Sequence, residues 1–218
     1  MYLTTAARLA RRMLCGVATL ASVSTVLVAQ PTVANFNSLT TANGEGVRYV
    51  QNCYIEAQLQ FTLTGVGCDD TEAFATWGPE NPLFYTGSPA LFNNSTASSS
   101  FDIMAAGGQA FSLLSIDLTT FLGEFGNPTS VTFTGMLMGG GTVSRMVDLP
   151  GATTTPTTIM FTDFSMLSSV RLTVTDPEFE PYVQFDNVTA SVVPEPSTVI
   201  LLAGGLVTLA ALARRRRV

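Results

Sequence analysis

The stretch Trp77-Gly78-Pro79-Glu80-Asn81-Pro82-Leu83-Phe84-Tyr85 holds the only tryptophan of the chain in a loop stiffened by two prolines. A sugar can lay its apolar face on Trp77 or Tyr85 while Glu80 and Asn81 take its hydroxyls. The competing reading is a loop whose rings cap the open end of the fold. Asp69, Asp70 and Glu72 form a second cluster. Calcium needs several hard oxygens converging on one point. Asp69, Asp70 and Asp186 are the candidates to supply them, although their spacing lacks the order of an EF-hand. A structural calcium is the one cofactor these residues suggest. Glu178 and Glu180 have the types of a glycosidase pair. Pro177 and Pro181 bracket them, and nothing nearby in sequence would raise the pKa of one selectively. A glycoside hydrolase is therefore the remote alternative, and no residue stands out as catalytic.

Composition excludes more chemistry than it suggests. The chain has no histidine and no lysine; its ten cations are all arginines, set against sixteen acids. That removes the Ser-His-Asp triad, the Cys-His dyad, the Schiff-base lysine and His-ligated metals. The charge is also segregated. Residues 35–193 hold only Arg48, Arg145 and Arg171 against fifteen acids, a net of 3 − 15 = −12. So acidic a surface repels phosphate backbones and excludes nucleic acid as a partner.

The remaining arginines mark the ends. Arg8, Arg11 and Arg12 precede an uncharged apolar run, Met13 to Ala29, and then Gln30-Pro31-Thr32-Val33-Ala34. This is the pattern of a secretory signal over residues 1–34, with cleavage after Ala34 as first choice and after Ala29 as second. At the other end, Pro194-Glu195-Pro196 is followed by an apolar stretch and then Arg214, Arg215, Arg216 and Arg217. As a helix, residues 198–213 would span roughly 24 Å at 1.5 Å per residue. Snorkelling arginines can extend that toward a hydrocarbon core of about 30 Å and hold that end in the cytoplasm. Export makes Cys53 and Cys68 the two mature cysteines and a disulfide their expected state; a pair of buried thiols is the alternative.

A triplet, a short membrane helix and a terminal arginine cluster, in that order, resemble the PEP-CTERM sorting signal over residues 194–218. The resemblance implies an exosortase as partner, with Pro194, Glu195, Pro196 and Arg214–Arg217 as the processing signal. It also implies transient anchoring in the inner membrane of a Gram-negative bacterium that makes exopolysaccharide, and a destination at the cell surface or matrix.

Between the ends, residues 35–193 read as one domain. Ile55 to Leu63, Val131 to Thr134, Val170 to Val174 and Val183 to Val188 alternate apolar and polar residues with the period of strands. Phe111 to Leu118 has a phase slip at Leu113-Leu114 that predicts a bulge. Ser100–Met104, Thr142–Leu149 and Thr157–Phe161 are weaker strands, and glycine- and proline-bearing turns separate the elements. The expected fold is all-β: a two-sheet antiparallel sandwich of jelly-roll type, with an immunoglobulin-like sandwich second. Such a core resembles the sandwich of carbohydrate-binding modules. The implied function is a non-catalytic surface or exopolysaccharide-matrix protein that binds extracellular polysaccharide; a purely structural or adhesive matrix protein is the alternative.

Overall fold

The computed structural model describes residues 29–41, 45–95, 98, 100–120, 128–151, 153–174, 183–193 and 204–205. It is all-β, with thirteen antiparallel strands in one hydrogen-bonded network. They are β1 (Pro31–Ala34), β2 (Val47–Val50), β3 (Tyr54–Glu56), β4 (Leu59–Leu63), β5 (Phe74–Trp77), β6 (Leu91–Asn93) and β7 (Ser100–Ala105). There follow β8 (Phe111–Thr120), β9 (Thr129–Leu137), β10 (Thr142–Leu149), β11 (Thr157–Met160), β12 (Leu167–Val174) and β13 (Val183–Val192).

The pairings resolve into two layers. One runs β2-β5-β6-β13-β8-β11, with β1 beside β13 below β6. The other runs β3-β4-β7-β12-β9-β10. The single pair Leu167↔Phe111 joins them at a corner, so the sandwich is nearly a closed barrel. Numbering β6 to β13 as strands one to eight gives sheet orders 1-8-3-6 and 2-7-4-5, the order of a jelly roll. The hairpin-like additions β2–β5 and β3–β4 extend each sheet by its edge.

The alternating residues turn inward as expected. Leu59, Phe61, Leu63, Val131, Phe133, Val170, Leu172, Phe185 and Val188 are all buried. Phe185 sits at the centre of an aromatic cluster. Its ring lies 4.3 Å from Phe101, 5.6 Å from Phe36, 5.7 Å from Phe61 and 6.4 Å from Phe74. The slip in β8 is a bulge: Ser115 pairs with Thr189 and Leu113 with Ala190, leaving Leu114 unpaired in register. Asn187 makes a second irregularity next along the ladder, facing Ile116, at φ 48°.

Two expectations shift. Ile55 to Leu63 is a hairpin, not one strand. Ala57 and Gln58 form its turn, both at positive φ, and Glu56 pairs with Leu59. Pairing 56 with 59 reverses the parity, so Tyr54 faces the core and Ile55 is exposed. The sandwich also begins upstream of residue 35. β1 pairs Pro31 with Ser191 and Ala34 with Val188, and Ala34 is fully buried. Glu56 fastens the following turn: its Oε1 accepts the N–H of Asn35 at 3.1 Å and of Phe36 at 2.9 Å.

Candidate functional site

Along β13, the Phe185 side chain enters the core, so its neighbours Gln184 and Asp186 point to the other side of the first sheet. Both are nevertheless buried. The loop between β5 and β6 covers them. The Gln184 amide donates to the Phe84 carbonyl at 2.7 Å, and the Ser88 hydroxyl donates to Asp186 at 2.6 Å. The loop that carries the proposed sugar residues thus lies across the outer face of the first sheet, not over an open end of the sandwich.

Trp77 closes β5 on that face. Its ring stacks on Phe92 with centroids 5.3 Å apart and tilts against Phe84 at 4.7 Å. These rings form a small apolar cluster separate from the main core. Trp77 and Tyr85 are each half-buried, and Glu80 is exposed. The Tyr85 hydroxyl donates to the Gly87 carbonyl at 3.0 Å. The Asn81 amide donates to the Gly46 carbonyl at 2.6 Å, while the Asn81 carbonyl receives the N–H groups of Phe84 and Tyr85. Asn81 therefore shapes the loop, and the rings offer only part of their surface outward.

Asp186 belongs to a polar chain that the strand pattern does not reveal. It pairs across the sheet with Asp117. The N–H of Asn187 donates to Asp186 at 2.7 Å, and the Asn187 side chain donates to Asp117 at 2.9 Å. Thr158 donates to the other oxygen of Asp117 at 2.5 Å. The one visible signal was an aspartate as the sole charge in each of two strands. Burial raises the pKa of Asp186 above its usual 3.8; the Ser88 and Asn187 hydrogen bonds oppose this, and the Asp117 and Glu56 charges add to it. The sign follows. A raised folded pKa means the ionised form is disfavoured by folding, so this contribution to stability is complete below the unfolded pKa and is lost as pH rises through the folded one. Urea unfolding at stepwise lower pH should show Asp186 stabilising the wild type relative to Asp186→Asn as pH falls from neutral toward 4. An unchanging difference between the two proteins would count against it.

Asp69 and Asp70 lie elsewhere, in the loop after β4. Asp70 accepts the N–H of Glu72 at 2.9 Å, and its carbonyl accepts the N–H of Asn52 at 2.8 Å. No three acidic or thiol side chains converge as metal ligands among the described residues. Cys53 and Cys68 are joined, with Cα atoms 5.2 Å apart. Buried Asn52 organises the loop they close. Its amide donates to the carbonyls of Val66 and Gly67 at 2.9 and 3.2 Å, and its oxygen receives the N–H of Leu63 at 2.7 Å.

The two ends of the domain meet. β1 and β13 are antiparallel, so the chain enters at Pro31 beside Ser191, where it is about to leave. Val193 continues from β13, its N–H held by the Ala110 carbonyl at 2.8 Å, and the next residue is Pro194. Pro194, Glu195, Pro196 and Arg214–Arg217 lie outside the described residues, as do Glu178, Glu180 and all of the stretch 198–213 except helical Gly204 and Gly205. Among the described residues no helix is long and apolar enough to cross a membrane.

Residues 192–217 match the family model of the PEP-CTERM protein-sorting motif. The sorting motif thus starts on the last residue of β13. It implies processing by an exosortase, with export and membrane anchoring beforehand. No curated protein matches the chain.

Proposed function

We propose that this chain is a non-catalytic surface or extracellular-matrix protein of a Gram-negative bacterium, displayed after an exosortase has processed its tail. The observation that carries the reading is the direct passage from β13 into the sorting motif, which leaves no linker between the cargo and its address.

The sandwich also favours one mature start. Cleavage after Ala34 would remove β1 and strip the pairing from Val188 to Ser191, leaving a bare strand edge. Cleavage after Ala29 keeps β1 whole. Intact-mass spectrometry of protein from an exosortase-bearing host should find a species that begins at Gln30 and ends within Pro194–Ser197. A species beginning at Asn35 or retaining Arg214–Arg217 would contradict this.

Whether the protein also binds polysaccharide turns on Trp77. A glycan array with the exported protein, followed by Trp77→Ala, separates the two readings. Sugar recognition predicts binding that disappears in the variant. The packing of Trp77 against Phe84 and Phe92 favours the structural alternative. That alternative predicts no glycan signal and a loss of about 1–3 kcal/mol of stability, as a partly buried ring is removed from a satellite cluster.

A further inference from the structure

We propose that, before processing, the sandwich stands with one particular end on the lipid surface, and that Met138 and Met166 are its contact residues there. The proposal rests on the reading of residues 198–213 as a membrane helix. It is carried by the short distance in sequence between that segment and a structurally defined end of the fold.

Only Pro194 to Thr198 separate Val193 from the apolar stretch that starts at Val199. Five extended residues reach roughly 17 Å. The polar layer on each side of a bilayer is about 5–8 Å thick. The end of the sandwich that holds Val193 is therefore confined to the immediate neighbourhood of the headgroups.

The strand register shows what else lies at that end. Val192 pairs with Phe111, Phe111 with Leu167, and Leu167 with Leu137. The Ala106 N–H reaches the Gln58 carbonyl at 2.8 Å. Hence the turns Ala57-Gln58, Ala106–Ala110, Met138–Gly141 and Thr162–Met166 gather there, with Asp163 as their only charge. Met138 and Met166 are neighbours, the N–H of one on the carbonyl of the other at 2.8 Å. They are 46% and 54% exposed, and Gly139, Gly140 and Gly141 beside them are exposed as well. Met136 follows one ladder step above, opposite Ser169.

The opposite end differs in kind. Asp69, Asp70 and Glu72 lie there in the loop beyond Leu63. β8 and β12 also finish on that side, and Asp148 lies there, paired with Ser130 near the start of β9. Thioethers are flexible and polarisable and tolerate an interface of mixed polarity. Glu56, beside the Ala57-Gln58 turn, is taken up by the N–H groups of Asn35 and Phe36; an end whose turns carry one charge suits the headgroup boundary, whereas the acidic end would be repelled by anionic lipid. The contact also holds Pro194-Glu195-Pro196 at the depth where a membrane-embedded enzyme works.

The methionines supply their own depth scale. Met160 pairs with Ser115, midway along β8, and Met146 with Thr132, past the middle of β9 from the lipid end; they are 61% and 66% exposed. The full chain, made without an exosortase and placed in nanodiscs of phosphatidylcholine and phosphatidylglycerol, can be treated with dilute peroxide. Sulfoxide formation is then followed by peptide mapping. Met138 and Met166 should oxidise several-fold more slowly than Met146 and Met160. A long Gly-Ser spacer inserted between Val193 and Pro194 should narrow that gap by lowering the effective concentration of the end at the surface. Equal rates in the unaltered chain, or a gap that the spacer leaves untouched, would overturn the lipid contact while sparing the anchor. Protection that arises only when an exosortase is added would assign the end to a protein partner and overturn it too. A chain that does not enter the discs would overturn both the anchor and the contact.

Discussion

Phe185→Ala should destabilise the exported domain by about 3–5 kcal/mol. The ring is 1% exposed, and the four phenylalanines around it come from both sheets or the turn after β1. Its loss leaves a cavity that the surrounding rings can close only by parting strands that are fixed by their hydrogen bonds. A domain stability of 5–15 kcal/mol leaves little reserve against such a change. Chemical denaturation should show the midpoint displaced with the slope retained. Phe185→Leu keeps most of the volume and should cost clearly less. Equal, small losses for both variants would mean that the centre of the core lies elsewhere.

The second large effect is expected at the disulfide. Closing a loop of fifteen residues is worth about 3 kcal/mol in the chain-entropy model. The double variant Cys53→Ser, Cys68→Ser should lose an amount of that order, and the wild type should lose it on reduction. Amide exchange should rise first at Leu63 and in the loop to Asp70, where Asn52 holds three backbone groups. Peptide mapping without reductant should recover Cys53 linked to Cys68. Free thiols at both positions in exported protein would refute the bond.

What the sequence revealed depended on whether a feature left a trace in the apolar pattern. The bulge in β8 did, because two leucines in succession force one to change sides. The hairpin at Ala57-Gln58 did not. A two-residue turn occupies the place of one more alternation, and neither residue is the glycine or asparagine that usually marks positive φ there. Seven of the eight jelly-roll strands, β7 to β13, were legible because glycine and proline turns separate them; β6, only three residues long, left no alternation to read. The start of β1 was hidden by its composition, since Thr32-Val33-Ala34 serves equally as a cleavage motif and as a strand.

The candidate site was less legible than the fold. Trp77, Asn81 and Tyr85 do share a loop, but its place over the first sheet depends on long-range bonds from Phe84 and Ser88 to β13. Gln184 and Asp186 alternate with core residues and so read as solvent-facing. Only the covering loop makes them buried. The sorting signal lies at the other extreme. Its information is carried by order and composition alone, and it was complete in the sequence.

The place of β13 also decides how the protein would bear a pull. A molecule held at its C-terminus and dragged from the acidic far end feels the force along β13, parallel to the strand. β13 pairs with β8 along one edge and with β1 and β6 along the other. Its hydrogen bonds lie across the direction of load, so they must yield together instead of opening one after another. Pulling Pro31 away from Val193, which lies at the same end, would act differently, unzipping β1 from β13 by four pairs in turn. An attachment through the C-terminus would therefore load β13 in shear against β8, β1 and β6, the direction in which its bonds resist together.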